Sequence, residues 1–379
     1  MPPSVSSGGG RTVLVAGAAG FIGSHVVERL RAAGHAVRAI DRPGADLSAA
    51  RAAGAQALSF DLGEAGKLRE ALAGCDVAVN GTGLFDLAAT EEELRAANVT
   101  AAVAFAEAAR EAGVGRLVHL SSASVYGKPA RSPQDEEGPF HPRNLYEITK
   151  LEGERAVQER HGRGIEVAVL RPTLVYGPRS RYGQALFVAL LAQLRAFGRR
   201  RFPLLAGGPL GQHVHVADVA GAAVLCATHP DAAGRAFNVA DREPLGLGET
   251  FGALIGAVGM TAAPKLSGRL FWGATLFVLA HLPARVLREF NRRLQKGHEI
   301  LVSRGLPDRL VPRLDRDWIG YFSGDFVFDV RRLASLGFSW EHPDFRRSIG
   351  GVVEWYRGAG WLPAPDSAAP GAARAVETP

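Results

Sequence analysis

Cysteine is nearly absent from this 379-residue chain: it occurs only at Cys75 and Cys226, and neither stands in a metal-ligand spacing. That argues against a disulfide framework and a cysteine-held metal. It points to a reducing, cytoplasmic compartment in which both thiols are small buried apolar groups, and no metal is expected. The chain also lacks a run of about 20 apolar residues, the length needed to cross a bilayer. The first ten residues hold Ser, Gly and Pro without the apolar core of a signal peptide, and they are expected to be disordered. The Ala- and Pro-rich tail over 363–379 is read the same way. No internal repeat is visible. The net charge is +6, yet no nucleic-acid reader motif accompanies it, so nucleic acid is not an expected partner.

What is present begins at Arg11 to Ala16, a short apolar and β-branched strand that runs into G-A-A-G-F-I-G, Gly17 to Gly23. Gly17, Gly20 and Gly23 permit positive φ and let backbone approach a pyrophosphate at the positive end of the following helix; Phe21 and Ile22 open the apolar stripe of that helix. A second strand, Ala36 to Ile40, ends at Asp41, about 20 residues past the glycines, where an acid accepts hydrogen bonds from ribose hydroxyls. A carboxylate there repels a 2′-phosphate, so NAD is preferred; Arg42, next in line, softens the repulsion and keeps NADP as the alternative.

Tyr146 and Lys150 are four residues apart in L-Y-E-I-T-K, a spacing that places both on one face of a helix. A phenol titrates near pH ~10 and is a poor base unless a nearby cation favours its phenolate. Lys150 can be that cation. Upstream, Val118 to Gly127 reads V-H-L-S-S-A-S-V-Y-G, a strand ending in hydroxyls that can hold a substrate oxygen beside the phenol.

Together these residues resemble an extended short-chain dehydrogenase/reductase, the superfamily of nucleotide-sugar epimerases and dehydratases and of 3β-hydroxysteroid dehydrogenases, over roughly Arg11 to Arg357. The resemblance implies that Ser122 positions the substrate oxygen, with Ser121 as runner-up. It implies that Tyr146 is the acid/base, and that Lys150 lowers the Tyr146 pKa and binds the nicotinamide ribose. It further places Asp61 and Leu62 at the adenine, Asn80, Gly81 and Thr82 beside the cofactor ribose, and Asn98 at a structural position. In L-R-P-T-L-V-Y-G-P, Pro172 falls to the cofactor and Thr173 and Tyr176 to the substrate. His213 and His215 read as core or helix-capping residues, and Asp218 as the cap of the helix that includes Val219 to Cys226.

The fold expected is α/β: a Rossmann-type doubly wound parallel sheet with a smaller, mostly helical C-terminal substrate-binding region. The NAD-binding core is set at 11–170, and the remaining core elements and substrate region at 171–362. Two departures weigh against a sugar substrate. Many nucleotide-sugar members carry an arginine just before V-x-D-V to pair with phosphates; here the stretch is Gly208-Pro209-Leu210-Gly211-Gln212. Many also carry an asparagine where this chain has Thr173. The enlarged C-terminal region, with the apolar segment Leu270 to Ala280 followed by Arg285, Arg288, Arg292, Arg293 and Lys296, resembles instead 3β-hydroxysteroid dehydrogenase and sterol-4-carboxylate 3-dehydrogenase relatives. That resemblance implies a lipophilic ring alcohol, 3β-hydroxysteroid or sterol-like, including oxidative C4 decarboxylation of a sterol 4-carboxylate. The alternatives are a nucleotide-sugar epimerase/dehydratase and a non-catalytic dinucleotide-binding protein. The apolar segment is read as a contact with an anionic membrane surface, a wall of a greasy pocket, or an ordinary buried helix. A homodimer is a further expectation of the resemblance.

Overall fold

The computed structural model describes residues 10–86, 88–267, 269–314, 321–322 and 324–364; the expectations for residues 1–9 and 365–379 lie outside these. The first half alternates strand and helix: β1 (Thr12–Ala16), α1 (Phe21–Ala32), β2 (Ala36–Asp41), α2 (Ser48–Ala52), β3 (Gln56–Ser59), α3 (Ala65–Leu72), β4 (Val77–Asn80), α4 (Glu91–Arg95), α5 (Ala101–Glu111), β5 (Arg116–Leu120), α6 (Leu145–Gln158) and β6 (Glu166–Pro172). Then come β7 (Leu174–Tyr176), α7 (Gln184–Ala196), β8 (Arg201–Ala206), β9 (Leu210–Gly211), β10 (His213–His215), α8 (Val216–Thr228), β11 (Ala236–Val239) and β12 (Leu245–Gly246). The last described elements are α9 (Leu247–Ala257), β13 (Thr261–Ser267), α10 (Arg269–Ala280), α11 (Ala284–Ser303), α12 (Arg331–Ala334) and α13 (Phe345–Gly358).

Seven strands form one parallel sheet in the order β11-β6-β5-β4-β1-β2-β3. β4, β5 and β11 are buried along their whole length, which is why they read as apolar runs and not as alternating ones. Val26, Val27 and Leu30 of α1 and Ala220, Ala222 and Ala223 of α8 cover one face. Leu68 and Leu72 of α3, Phe105 and Ala109 of α5 and Val157 of α6 cover the other. The strand order reverses between β1 and β4, and the crevice this opens at the carboxyl ends of the strands is where such sheets bind ligands. β6 runs two residues past the boundary set at 170, to Pro172, and among the core elements of the second half β11 completes the sheet while α8 covers it.

A third apolar cluster lies among α7, α9 and α13, where Leu254, Phe345, Val353 and Tyr356 are buried. Three two-stranded pairs, β10-β7, β12-β9 and β13-β8, join this region to the sheet. The apolar segment forms α10. Its Trp272 is buried and donates to the Ala206 carbonyl at 3.1 Å, whereas Phe277 and Val278 are 64% and 58% exposed. Among the described residues no helix is long and apolar enough to cross a membrane.

Between β6 and α6 lies a buried ion pair. Arg171 and Glu154 are 4% and 1% exposed, and the Arg171 Nε donates to both Glu154 oxygens at 3.1 and 3.2 Å. The rest of the guanidinium donates to the Tyr126 hydroxyl and the Glu136 carbonyl, each at 2.7 Å. Tyr126 in turn donates to Asn238 Oδ1 of β11 at 2.7 Å. Removing one partner of such a pair leaves an uncompensated buried charge. Arg171→Leu should therefore lose about 3–5 kcal/mol of unfolding free energy in urea; a loss under about 1 kcal/mol, as for exposed pairs, would show that the pair is dispensable.

Candidate active site

The glycine turn sits at the crevice. Gly17 has φ +75°, and a Cβ on it would lie 2.7 Å from the Gly81 carbonyl oxygen, so both the turn and the close approach of the loop after β4 require glycine. The Gly20 amide closes the turn on the Gly17 carbonyl at 3.0 Å. Helix α1 then starts with no side-chain cap and no acid in its first turn, leaving amides and a positive dipole end for an anion. Asp41 lies at the end of β2; one carboxylate oxygen accepts from the Ala19 amide and the other from the Arg42 amide, both at 2.8 Å. This holds a negative charge against the turn, where it disfavours a 2′-phosphate. Asn80 is fully buried; its Oδ1 accepts from the Thr82 amide and hydroxyl at 3.1 and 2.6 Å, while its Nδ2 has no partner. Asp61 is exposed and accepts from the Gly63 amide at 2.8 Å, and Leu62 packs on the α3 side of the sheet. A cradle that a Cβ would fill, open helix amides and an orphaned amide donor fit a dinucleotide.

Asn98 falls in a π-helical turn, Ala96–Thr100, between α4 and α5. Its Oδ1 accepts from the Leu84 amide at 2.9 Å and its Nδ2 donates to Thr149 Oγ1 at 3.1 Å. One side chain thus ties the loop after β4 to α6, and a Cβ at Gly153 would collide with the Asn98 carbonyl. π-turns recur at functional sites because they re-aim one side chain.

Helix α6 is capped by Asn144, whose Oδ1 accepts from the Glu147 amide at 2.9 Å. One turn apart on it, Tyr146 and Lys150 line the same cavity as Ser122. Ser122 caps the 3₁₀ turn Ala123–Tyr126, its hydroxyl accepting from the Ser124 amide at 3.1 Å. The phenol faces the hydroxyls of Ser122 and Ser124; the neighbouring Ser121 hydroxyl is buried without a partner. Lys150 is 5% exposed and donates to the Leu120 carbonyl at 2.8 Å. Burial is the largest influence on both groups. It pushes Tyr146 up to about 12 against the two serine hydroxyls, and Lys150 down to about 8 against the attraction of Glu154. The expected lowering of the phenol by Lys150 is not among the influences on Tyr146, whose opposition to desolvation comes from Ser122 and Ser124.

The cavity has a volume of about 450 Å³. Gly20, Phe21, Ile22, Gly23, Gly81, Thr82, Pro172 and Thr173 line it. Tyr176 does not. It is 2% exposed and packs against Phe345 with ring centroids 4.7 Å apart, inside the third apolar cluster. Its assignment to the substrate is corrected: β7 pairs with β10, with Tyr176 in register with His215, and its ring enters the core beneath. The cap of α8 is also corrected. His215 Nδ1 accepts from the Ala217 amide at 3.2 Å, while Asp218 accepts from the amides of Glu341 and His342 at 2.7 and 3.1 Å. His213 stacks on Phe345 at 4.2 Å and is held neutral by burial, down to about 3.

Sequence reasoning missed the cavity walls: Phe85, Tyr182, Tyr321, Phe326 and Phe328, with Gln184 and Thr250 as polar members. Phe85 meets the Tyr146 ring edge-on at 4.8 Å. The concentration of aromatics in Y-F-S-G-D-F-V-F, 321–328, is the one local signal that marks part of this wall. Residues Trp272 to Leu279 of the apolar segment contribute nothing to it.

The sequence profile of the NAD dependent epimerase/dehydratase family matches residues 13–240. A UDP-glucose 4-epimerase from Mycolicibacterium smegmatis is 35% identical over 66% of this chain and 84% of its own length. A 4-hydroxy-2-methyl-3-oxo-4-farnesyl-3,4-dihydroquinoline-1-oxide ketoreductase from Stigmatella aurantiaca is 31% identical over 65% and 73%. Sterol demethylase protein B from Methylococcus capsulatus is 30% identical over 49% and 59%. Among solved structures, MoeE5 in complex with UDP-glucose and NAD is 25% identical, with a TM-score of 0.65 over 92% of this chain and 99% of that one.

Glu154 is the group that holds the Lys150 pKa up. Glu154→Gln should therefore move the Lys150 titration, followed by NMR of ¹³C-labelled lysine, to below about 8. An unmoved titration would show that the charge of Glu154 does not reach the ammonium.

Proposed function

The chain belongs to the NAD-dependent epimerase/dehydratase family, and on that premise we propose that this NAD-dependent enzyme interconverts a ring secondary alcohol and its ketone on a lipophilic substrate of sterol-like character. One observation carries the substrate class. Among the described residues that line the cavity, Lys150 is the only charged side chain, and aromatic rings make up much of the remaining wall. A flat apolar ring system gains from each area it buries there, whereas a nucleotide diphosphate entering the cavity meets no guanidinium. The farnesyl quinoline ketoreductase and the sterol demethylase protein among the relatives support the same reading.

In the mechanism, Ser122 holds the substrate oxygen by a hydrogen bond, and Tyr146 takes the hydroxyl proton in the oxidative direction or returns it in the reductive one. Lys150, as ammonium, favours the phenolate that this requires. The glycine turn, Asp41, Asn80 and Lys150 would hold NAD, which would supply the hydride acceptor when bound. The reaction balances as alcohol and NAD⁺ giving ketone, NADH and one proton. If the substrate carries a carboxylate on the carbon next to the new ketone, the product is a β-keto acid, which loses carbon dioxide without a further catalytic group. Such a substrate is a sterol 4-carboxylate.

The second reading, a nucleotide-sugar epimerase, is favoured by the 35% identity to a UDP-glucose 4-epimerase. The two differ in net redox, since an epimerase returns the hydride. The test is nicotinamide absorbance at fixed NAD with 3β-hydroxy sterols, their 4-carboxylates and UDP-glucose. Net NADH with a sterol supports the proposal; interconversion of UDP-glucose without net NADH overturns it. In either chemistry Tyr146→Phe should cut turnover by about 10²-fold or more while NAD affinity stays within a few-fold, and equal turnover would remove Tyr146 from the proton transfer.

A further inference from the structure

A second cleft, with a volume of about 720 Å³, opens between α7, α11 and the segment that follows α11. Among the described residues it shares no lining residue with the first cavity. Arg181, Arg288, Arg292, Arg309 and Arg313 line it, and no described acid does. Arg292 is partly neutralised, donating to both oxygens of Glu289 at 2.8 and 2.9 Å. Arg181 lies over the Trp361 ring at 5.2 Å. Among the described residues, no carboxylate forms an ion pair with Arg181, Arg288, Arg309 or Arg313. Asp46 feels the field of Arg309 without pairing with it.

The cleft is held in shape. Asn291 on α11 accepts from the Leu314 amide at 2.9 Å and donates to the Leu314 carbonyl at 2.8 Å. At the other end His298 meets Asp308 at 2.9 Å. Between these pins Leu310 and Pro312 are buried while Arg309 and Arg313 are exposed, and both arginines line the cleft together with Arg288 and Arg292 of α11. Four guanidiniums with no ion pair among the described residues around one concavity repel one another, and their planar forks match phosphate oxygens in pairs.

We propose that this cleft binds a small soluble anion carrying two or more phosphate groups, at a site separate from the catalytic cavity. Its volume is that of a small-molecule site. The assignment does not depend on the substrate proposed above.

The test is calorimetric titration of the full chain, already saturated with NAD so that the glycine turn is occupied, with inorganic pyrophosphate. Saturable binding is expected, weaker at higher salt. It should weaken at least about tenfold, or about 1.4 kcal/mol, in the Arg288→Ala/Arg309→Ala double variant. Arg199→Ala/Arg200→Ala, which removes two exposed arginines outside the cleft, should leave binding unchanged. Absence of saturable binding, or equal losses in the two double variants, would overturn the proposal. So would sedimentation with phosphatidylcholine–phosphatidylglycerol vesicles in the absence of any pyrophosphate binding, since the cleft would then serve a lipid surface.

Discussion

The buried pairing of Arg171 with Glu154 is the constraint on which the catalytic arrangement rests. It joins the sixth strand of the sheet to α6, one helical turn beyond Lys150. Two charges in so dry a place are tolerated only when their remaining donors and acceptors are met. Tyr126 and Glu136 accept from the guanidinium, and Asn238 in turn accepts from the Tyr126 hydroxyl. Because the guanidinium's directions are fixed, α6 has one rotation and one height against the sheet. That rotation turns Tyr146 and Lys150 toward Ser122, and one turn further along the same side of the helix Gly153 fits against the Asn98 turn.

What could be read locally was what local chemistry dictates. The glycine turn, the apolar parallel strands, the acid after β2 and the Tyr146–Lys150 spacing each follow from backbone freedom or helical period, and each lies where that reasoning places it. What could not be read depends on which layer a side chain meets. Tyr176 sits three residues past Thr173 in an unbroken motif, yet only Thr173 reaches the cavity. The ring of Tyr176 is claimed by Phe345 from α13, an element far along the chain whose position no short window contains. The displacement of Asp218 from the cap has the same origin, while His215, read as a core or helix-capping residue, does cap α8. Asp218 is an excellent cap by type, but Glu341 and His342 bring it two amides from outside the helix, and the histidine three residues earlier takes the cap. The aromatic wall escaped for a related reason: Phe85, Tyr182 and Phe328 come from separate loops and share no period.

Charge is distributed unevenly between the two concavities. The catalytic one holds a single ammonium among rings and hydroxyls, and desolvation governs both of its titrating groups. The other is lined by guanidiniums near the surface, where solvent keeps them charged and screening sets the range of their field. A chain with a net charge of only +6 thus keeps its aromatic cavity and its arginine-lined cleft in different walls.

The seventh strand of the sheet has a consequence for how the chain reaches this state. β11 pairs with β6 from Ala236↔Val169 to Val239↔Pro172, and it brings Asn238 to Tyr126. Until that segment has been synthesised and has come back across the sheet, β6 is a bare, apolar edge, the kind of surface on which chains aggregate. The buried charges beside it also lack part of their solvation. A nascent chain that has finished its cofactor half is therefore still sticky and still without a fixed catalytic helix, which makes the stretch from β6 to β11 the interval in which a ribosome-bound intermediate depends most on chaperones.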